Sequence, residues 1–230
     1  MKLNLKNNII AHRGVFNNED IPENSIMAFK KAIKLGYAVE FDVQLTIDNV
    51  LVVFHDENLC RMTGVNKNIQ ELTYKEIKKY KLLDTNQYIP TLEEVLDIVG
   101  DKVLMDIEIK DTKRIKETCN MLMSMIEKYN NYILKSFNPK IVRYLKNNYK
   151  DEKVGYLINS KYKEKILNII LPSICMIKYS KADFLAINKK LLKTKKFQKL
   201  SKKYPLLLWT IKDKNEIVND EHIYICNNLC

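Results

Sequence analysis

The chain has 230 residues, 46% of them hydrophobic, and a formal net charge of +11 at pH 7. This length and apolar content can bury a large core, so we expect a single domain over residues 1–230. The sequence has no apolar run long enough to span a membrane, and its polar first eight residues are unlike a signal peptide. Five scattered cysteines without a Cys-x-x-Cys pair argue against a disulfide framework and indicate free thiols in a reducing cytoplasm.

Lysine supplies nearly all of the positive charge, since arginine occurs only at positions 13, 61, 114 and 143. An excess of basic residues can attract nucleic acid or an anionic membrane. The chain has no nucleic-acid-binding motif and is also rich in Asn and Ile, so we attribute the charge to compositional bias and expect no nucleic-acid partner. A peripheral membrane contact is the alternative, through the lysine-rich residues 189–203, which otherwise form an outer helix with a solvated face.

The first predicted element is a short apolar strand that ends in charged residues. This strand is predicted at residues 8–11, and His12 and Arg13 follow it. We expect Asn24 and Ser25 to cap the next helix, because short polar side chains accept hydrogen bonds from the free N–H groups of a first helical turn. The histidine and the arginine therefore lie at the C-terminal end of the first strand.

The strand predicted at residues 38–44 carries two carboxylates on one face. Alternate side chains of a strand point the same way, so Glu40 and Asp42 share a face, while the apolar residues between and beside them share the other. Adjacent carboxylates repel each other and resist desolvation. We therefore expect a cation to lie between them.

A later strand, predicted at residues 102–110, repeats this pattern. Asp106, Glu108 and Lys110 share one face of it, and apolar residues occupy the other. Charged side chains that converge from two strands indicate an active site. Asp106 lies deeper than the other two and is also consistent with a buried, hydrogen-bonded residue.

The connection between these two strands begins with a hairpin. Residues 45–55 are too few for a crossover helix, and Asp48-Asn49 suits a tight turn. Residues 50–54 are therefore predicted to run antiparallel to the preceding strand. This arrangement returns His55 to the level of the two carboxylates.

The remaining pattern predicts a barrel with one interruption. Residues 57–90, which include a short helix near residues 73–80, are interpreted as a small lid-like insertion. Beyond it, strands alternate with helices, including helices over residues 162–170 and 189–203. Such alternation is typical of parallel β/α units, and eight of them predict an α/β fold of the (β/α)8 TIM-barrel class. The later strands are predicted at residues 132–137, 153–158, 183–188, 205–211 and 222–227.

Seven short motifs follow one another along the chain: Ala11-His12-Arg13-Gly14, Pro22-Glu23-Asn24-Ser25, Glu40-Phe41-Asp42-Val43, His55-Asp56, Ile107-Glu108-Ile109-Lys110, Ser136-Phe137 and Trp209-Thr210. Their order resembles that of the glycerophosphodiester phosphodiesterase family, most densely over residues 9–110. The resemblance implies a β/α barrel that hydrolyses glycerophosphodiesters with a divalent cation at the C-terminal mouth. The chain departs from the family pattern at Lys212, where the family usually has Asn, and in its final strand.

The resemblance implies that Glu40, Asp42 and Glu108 are the metal ligands. Carboxylate oxygens suit a hard cation, so Mg²⁺ or Ca²⁺ is expected. The same carboxylates could instead pair with Arg13 and Lys110 and bind no metal. Three acids against two bases leave a net negative charge, which favours one divalent cation.

The resemblance also assigns the remaining site residues. His12 and His55 correspond to a general acid/base pair, and both lie in charged strand-end motifs, although a lone histidine is more often structural. Arg13 can hold phosphate oxygens with its planar fork, and Lys110 can add a point charge. Trp209 either lines the substrate pocket or fills the barrel core.

The resulting hypothesis is metal-dependent hydrolysis of glycerophosphodiesters to sn-glycerol 3-phosphate and an alcohol. The first nucleophile is either water or the substrate's own glycerol hydroxyl. One alternative is a lysophospholipase-D-like phosphodiesterase, for which apolar residues of the insertion would supply an acyl-chain route. The other is a non-catalytic, phosphate-binding barrel, because fold alone does not determine function. The apolar residues in question are Leu59, Met62, Val65 and Ile69.

Overall fold

Eight parallel strands form a closed barrel in the computed structural model, which describes residues 9–162, 164–213, 216–217 and 222–227. In chain order the strands are β1 (Ile9–His12), β2 (Ala38–Leu45), β3 (Leu51–Val53), β4 (Met105–Ile109), β5 (Tyr132–Ser136), β6 (Val154–Ile158), β7 (Phe184–Asn188), β8 (Leu206–Ile211) and β9 (Ile223–Cys226). The additional, ninth strand is β3, which pairs with β2 in the antiparallel direction at the edge of the sheet. Strand β1 pairs with both β2 and β9, which closes the sheet. The predicted TIM barrel is therefore confirmed. The predicted start of β1 at residue 8 lies outside the described residues.

Helices cover the outside of the barrel. They are α1 (Ile26–Leu35), α2 (Cys60–Thr63), α3 (Tyr74–Ile77), α4 (Leu92–Val99), α5 (Ile115–Ile126), α6 (Pro139–Asn148), α7 (Leu167–Ile170), α8 (Ile174–Ser180) and α9 (Lys195–Ser201), with 3₁₀ turns at Ile69–Glu71 and Lys189–Lys193. The Ser25 hydroxyl accepts a hydrogen bond from the Ala28 N–H and caps α1. Gly36 ends this helix in the left-handed conformation that glycine adopts without a steric penalty.

Two predicted helices differ from the structure. Within the described part of residues 162–170, where one helix is predicted, only α7 is an α-helix. The longer helix α8 begins after Pro172 and Ser173. Proline has no N–H to donate, and the Ser173 hydroxyl accepts from the Met176 N–H, so a new helix starts there. The predicted helix over residues 189–203 is divided at Thr194, whose extended backbone and hydroxyl cap α9.

The insertion has a hydrophobic core of its own. Strand β3 runs antiparallel to β2, as predicted, and residues 57–90 follow it. Leu59, Met62 and Ile69 are buried in a cluster with other apolar residues of this segment. The expectation that Leu59, Met62 and Ile69 line an acyl-chain route is therefore wrong, because they pack against one another beneath the surface. Val65, the fourth residue of that expectation, is half-buried and lies outside this cluster.

A buried lysine lies among carboxylates inside the barrel. The parallel register of β2, β4 and β5 places Glu40 opposite Asp106 and Glu108 opposite Lys135. The Lys135 Nζ lies 2.5 Å from Asp106 Oδ2 and 3.2 Å from Glu40 Oε1. Burial alone would lower the pKa of Lys135, but these carboxylates raise it above its usual value, so the side chain is cationic. Asp106 is thus a buried, ion-paired residue, and Lys135 is the partner that sequence reasoning missed.

We predict that Lys135→Met lowers the free energy of unfolding by about 3–5 kcal/mol, because it leaves two buried carboxylates without their cation. Denaturant unfolding followed by circular dichroism measures this change. The double variant Lys135→Met/Asp106→Leu should recover part of the loss, since it also removes one stranded charge. Lys153→Met, at an exposed lysine before β6, is the matched control. A Lys135→Met loss no larger than that of the control would contradict the assigned pairing.

Candidate active site

Three buried carboxylates meet at the C-terminal end of the barrel. Glu40 and Asp42 come from β2 and Glu108 from β4, and the strand register places Asp42 opposite Glu108. One oxygen from each side chain lies within 4.8 Å of the other two. The convergence that strand periodicity predicts is confirmed, and all three residues are at most 6% exposed.

Besides Lys135, which lies 3.2 Å from Glu40 Oε1, two basic residues contact this cluster. The Lys110 Nζ lies 2.8 Å from Glu108 Oε1 and 3.4 Å from Asp42 Oδ1. The Arg13 backbone N–H donates to Glu40 Oε2 at 3.1 Å, and its Nε lies 3.5 Å from Asp42 Oδ2. Burial alone would raise the pKa of Asp42, but the neighbouring cations, Lys110 foremost, lower it well below its usual range. Asp42 is therefore ionised.

Asn24 supports the carboxylate cluster instead of capping α1. Its backbone has a positive φ of 55°, and its side-chain amide donates to Asp42 Oδ2 at 2.9 Å. The predicted capping role is confirmed for Ser25 and wrong for Asn24. The short polar side chain of Asn tolerates the left-handed conformation that aims it at the carboxylate.

A second ion-pair network connects the cluster to the insertion. Glu23 Oε1 lies 2.7 Å from Arg13 Nη1 and 2.6 Å from Arg61 Nη2 of helix α2. Arg61 Nε is also 2.6 Å from Asp56 Oδ2. Burial raises the pKa of Glu23, but hydrogen bonds from Arg61 and the charge of Arg13 lower it below its usual value overall. Sequence reasoning missed Glu23 and Arg61 as site residues, although Glu23 lies in one of the recognised motifs.

Each histidine holds one ring nitrogen against a fixed acceptor. His12 Nδ1 lies 2.5 Å from Asn227 Oδ1, and its Nε2 is 3.9 Å from Glu40 Oε2. His55 Nδ1 lies 2.6 Å from Asp56 Oδ1. An ionised carboxylate only accepts hydrogen bonds, so the His55 Nδ1 carries a proton and the Nε2 is the atom that can exchange one. Burial and the charge of Arg13 lower the pKa of His12 to about 3, which makes this imidazole neutral at pH 7.

The two histidines line one cavity of about 230 Å³. Its lining combines charged side chains with apolar ones. Trp209 is one of the apolar lining residues: its ring packs edge-on against Phe137 at 5.5 Å, and its Nε1 donates to the Ala186 carbonyl. The structure thus places Trp209 at the pocket. The other lining residues are His12, Arg13, Glu40, His55, Glu108, Lys135, Leu157, Asn159, Thr210 and Ile225.

The donor set and the charge of this site fit a hard divalent cation. Oxygen ligands within 4.8 Å of one another can surround one ion of the Mg²⁺ or Ca²⁺ class. The amide oxygen of Asn24, beside Asp42, is buried and has no hydrogen-bond partner among the described residues. Burial raises the pKa of Asp106 to about 7, but the other five carboxylates of these ion pairs still outnumber the four basic side chains, which leaves a net negative charge. Those five acids are Glu23, Glu40, Asp42, Asp56 and Glu108, and the bases are Arg13, Arg61, Lys110 and Lys135.

Comparisons with known proteins agree with this geometry. Residues 12–224 match the Glycerophosphoryl diester phosphodiesterase family. A glycerophosphodiester phosphodiesterase of Caldanaerobacter subterraneus subsp. tengcongensis is 39% identical over 171 residues, which cover 66% of this chain and 67% of that protein. The crystal structure of a glycerophosphodiester phosphodiesterase from Thermotoga maritima has a TM-score of 0.74 and 27% identity, covering 95% of this chain and 93% of that one.

A further structure shares the fold. It is an Oleispira antarctica phosphodiesterase in complex with the product sn-glycerol-3-phosphate, with a TM-score of 0.80 and 21% identity over 95% of this chain and 92% of that one. The family match covers most of the chain, including the residues at the barrel mouth. This chain belongs to the glycerophosphoryl diester phosphodiesterase family.

Proposed function

We propose that this protein hydrolyses glycerophosphodiesters to sn-glycerol 3-phosphate and an alcohol. The observation that carries this proposal is one small cavity lined by both histidines, by basic side chains and by Glu40 and Glu108, two members of the three-carboxylate cluster. A phosphodiester needs charge neutralisation, a proton acceptor and a proton donor to be hydrolysed. These groups would supply all three. The family membership supports the same reaction class.

Arg13 and Lys110 are proposed to hold the phosphate, and Trp209, which lines the same cavity as Arg13, to contact the substrate. Arg13 already has its guanidinium oriented by Glu23, so less side-chain freedom is lost when it binds an anion. The apolar ring face of Trp209, fixed by Phe137, suits the carbon skeleton of the substrate.

Glu40, Asp42 and Glu108 are proposed to hold one divalent cation, Mg²⁺ or Ca²⁺. When bound, such an ion neutralises charge on the phosphoryl oxygens and polarises the phosphorus for attack. Lys110 contacts two of these carboxylates and would move with the ligand set when the cation binds.

His12 and His55 are proposed to exchange protons with the reacting groups. One imidazole accepts the proton of the attacking hydroxyl as the new P–O bond forms. The other donates a proton to the alcohol oxygen as its bond to phosphorus breaks, so that one water is consumed in the overall reaction. Asn227 and Asp56 fix the ring orientations, which leaves one nitrogen of each ring for this exchange.

A lysophospholipase-D-like activity is the second candidate, favoured by an apolar groove of about 480 Å³ that shares Phe137 with the catalytic cavity. We propose the cytoplasm as the location of the reaction. The free thiols of Cys60, Cys119, Cys175 and Cys226 are consistent with a reducing compartment. Within the described residues, no helix is long and apolar enough to cross a membrane.

The proposed function is tested with purified protein and glycerophosphocholine. A dehydrogenase specific for sn-glycerol 3-phosphate reports the product continuously. We expect activity with Mg²⁺ or Ca²⁺ present, and its loss in EDTA with recovery when the ion is returned. Full activity in exhaustively chelated protein would remove the cation from the mechanism.

Loss of a proposed ligand should act in the same way as chelation. Glu40→Gln, Asp42→Asn and Glu108→Gln should each abolish most of the activity, because each removes a charged oxygen from the ion. Glu93→Gln, at an exposed acid of α4, is the matched control and should retain full activity. Circular dichroism checks that the barrel remains folded. Wild-type turnover in any of the three variants would exclude that side chain as an essential ligand.

The two histidines distinguish an enzyme from a phosphate-binding barrel. His12→Asn and His55→Asn should each lower kcat by roughly 100- to 10,000-fold, while KM changes far less, because Arg13 and Lys110 still contact the phosphate. The pH–rate profile of the wild type should be bell-shaped, and each variant should lose one limb. Unchanged kcat in both variants would exclude the two histidines as proton donor and acceptor, and would indicate that this site only binds phosphate.

A further inference from the structure

Helices α7 and α8 expose an unusual concentration of large apolar side chains. Of the nine large hydrophobic residues exposed among the described residues, five lie within residues 166–179. Ile169 is 74% exposed and Ile166 is 59% exposed. Single exposed apolar residues are common on protein surfaces, but a cluster of this kind marks an interaction site. We call this cluster the α7–α8 face, and it consists of Ile166, Ile169, Ile170, Ile174 and Tyr179.

Lysines flank the α7–α8 face. Residues 161–181 contain five lysines and one glutamate. Lys161 and Lys165 are exposed before the isoleucines, and Lys178 is exposed near their end. Isoleucines surrounded by lysines are typical of segments that insert shallowly among anionic lipid headgroups. The net charge of +11 also attracts the protein to an anionic surface, over a longer range than the individual lysines do.

The lysine-rich segment around α9 lacks this exposed apolar surface. Its apolar residues Phe197 and Leu200 are buried, while Leu191 and Leu192 are partly buried against the core. Its lysines therefore surround no exposed apolar cluster. Between the two basic segments, only the α7–α8 face combines exposed apolar side chains with positive charge among the described residues.

The α7–α8 face is connected to the catalytic cavity. Strand β6 ends at Ile158, and the next residue, Asn159, lines that cavity before the chain continues toward α7. An apolar groove lies beside this segment, lined in part by Leu171, Met176 and Tyr179. Phe137 lines both the groove and the catalytic cavity. The groove beside the exposed face and the charged catalytic cavity therefore adjoin at Phe137.

We propose that the α7–α8 face docks this protein on the surface of an anionic phospholipid bilayer. The groove beside Phe137 then receives the acyl chain of a lysophospholipid, which is a glycerophosphodiester with one chain. This second part rests on the proposed function, since the bond broken is still the one between phosphorus and the headgroup oxygen. Water supplies the hydroxyl to phosphorus and the proton to the released alcohol, so lysophosphatidic acid remains.

Vesicle co-sedimentation tests the docking surface without relying on catalysis. Wild-type protein is mixed with vesicles of phosphatidylcholine alone or with 30% phosphatidylglycerol. We expect at least tenfold tighter binding to the anionic vesicles, and at least a tenfold loss in Ile166→Asp/Ile169→Asp. Met27→Asp, at an apolar residue that is 41% exposed on α1, is the matched control and should bind like wild type. Circular dichroism verifies the fold of each variant.

Three results would overturn the docking surface. They are no binding to anionic vesicles, equal binding by wild type and the double aspartate variant, and a concentration-dependent dimer that the variant abolishes. The last result, from analytical ultracentrifugation, would assign the face to a second copy of the chain. Because these measurements involve no turnover, they remain informative even if the protein hydrolyses no substrate.

Activity measurements separate the acyl-chain groove from the proposed function. The double aspartate variant should keep wild-type activity on glycerophosphocholine, which has no acyl chain, and lose at least tenfold on lysophosphatidylcholine presented in anionic vesicles. An unchanged ratio of the two activities would overturn uptake of the acyl chain from the docked membrane through this groove. Absence of wild-type activity on both substrates would instead contradict the proposed function.

Discussion

The site depends on basic side chains that compensate the negative charge of carboxylates buried together at the mouth of the barrel. Glu40, Asp42 and Glu108 lie out of water and close to one another, an arrangement that is unfavourable without cations. Lys110, directly after β4, and Lys135, within β5, contact the cluster. Closure of the barrel brings these charges together, so the fold and the site are stabilised by the same contacts. A phosphate and a divalent cation would enter a site whose charges are already oriented.

The face of each charged strand residue could be predicted from the sequence, because a strand has a period of two and parallel strands place their C-terminal ends at the same edge. This reasoning was sufficient for the three carboxylates and for the hairpin that carries His55. It could not identify Asn227 as the partner of His12, since 215 positions separate them and only closure of the barrel brings them together. Lys135 was missed because its strand has no second charged residue on the same face to signal a site.

The segment between β6 and β7 was predicted least well, and the reason is physical. Isoleucines in this segment favour a buried helix on hydrophobicity alone, whereas Pro172 divides it and leaves α7 without a buried residue. A sequence pattern reports how apolar a segment is but not what covers it. The same isoleucines therefore become informative only in the structure, where they are exposed beside a groove that adjoins the catalytic cavity at Phe137.

The central claim is that one cation and one phosphate share this carboxylate-lined site, and calorimetric titration tests it most directly. Wild-type protein is titrated with sn-glycerol 3-phosphate at saturating Mg²⁺ or Ca²⁺ and again in EDTA. We expect one phosphate site per chain, with binding at least tenfold tighter when the cation is present, because two ligands that contact each other strengthen each other's binding. Equal affinity under the two conditions would contradict a shared site for the cation and the phosphate.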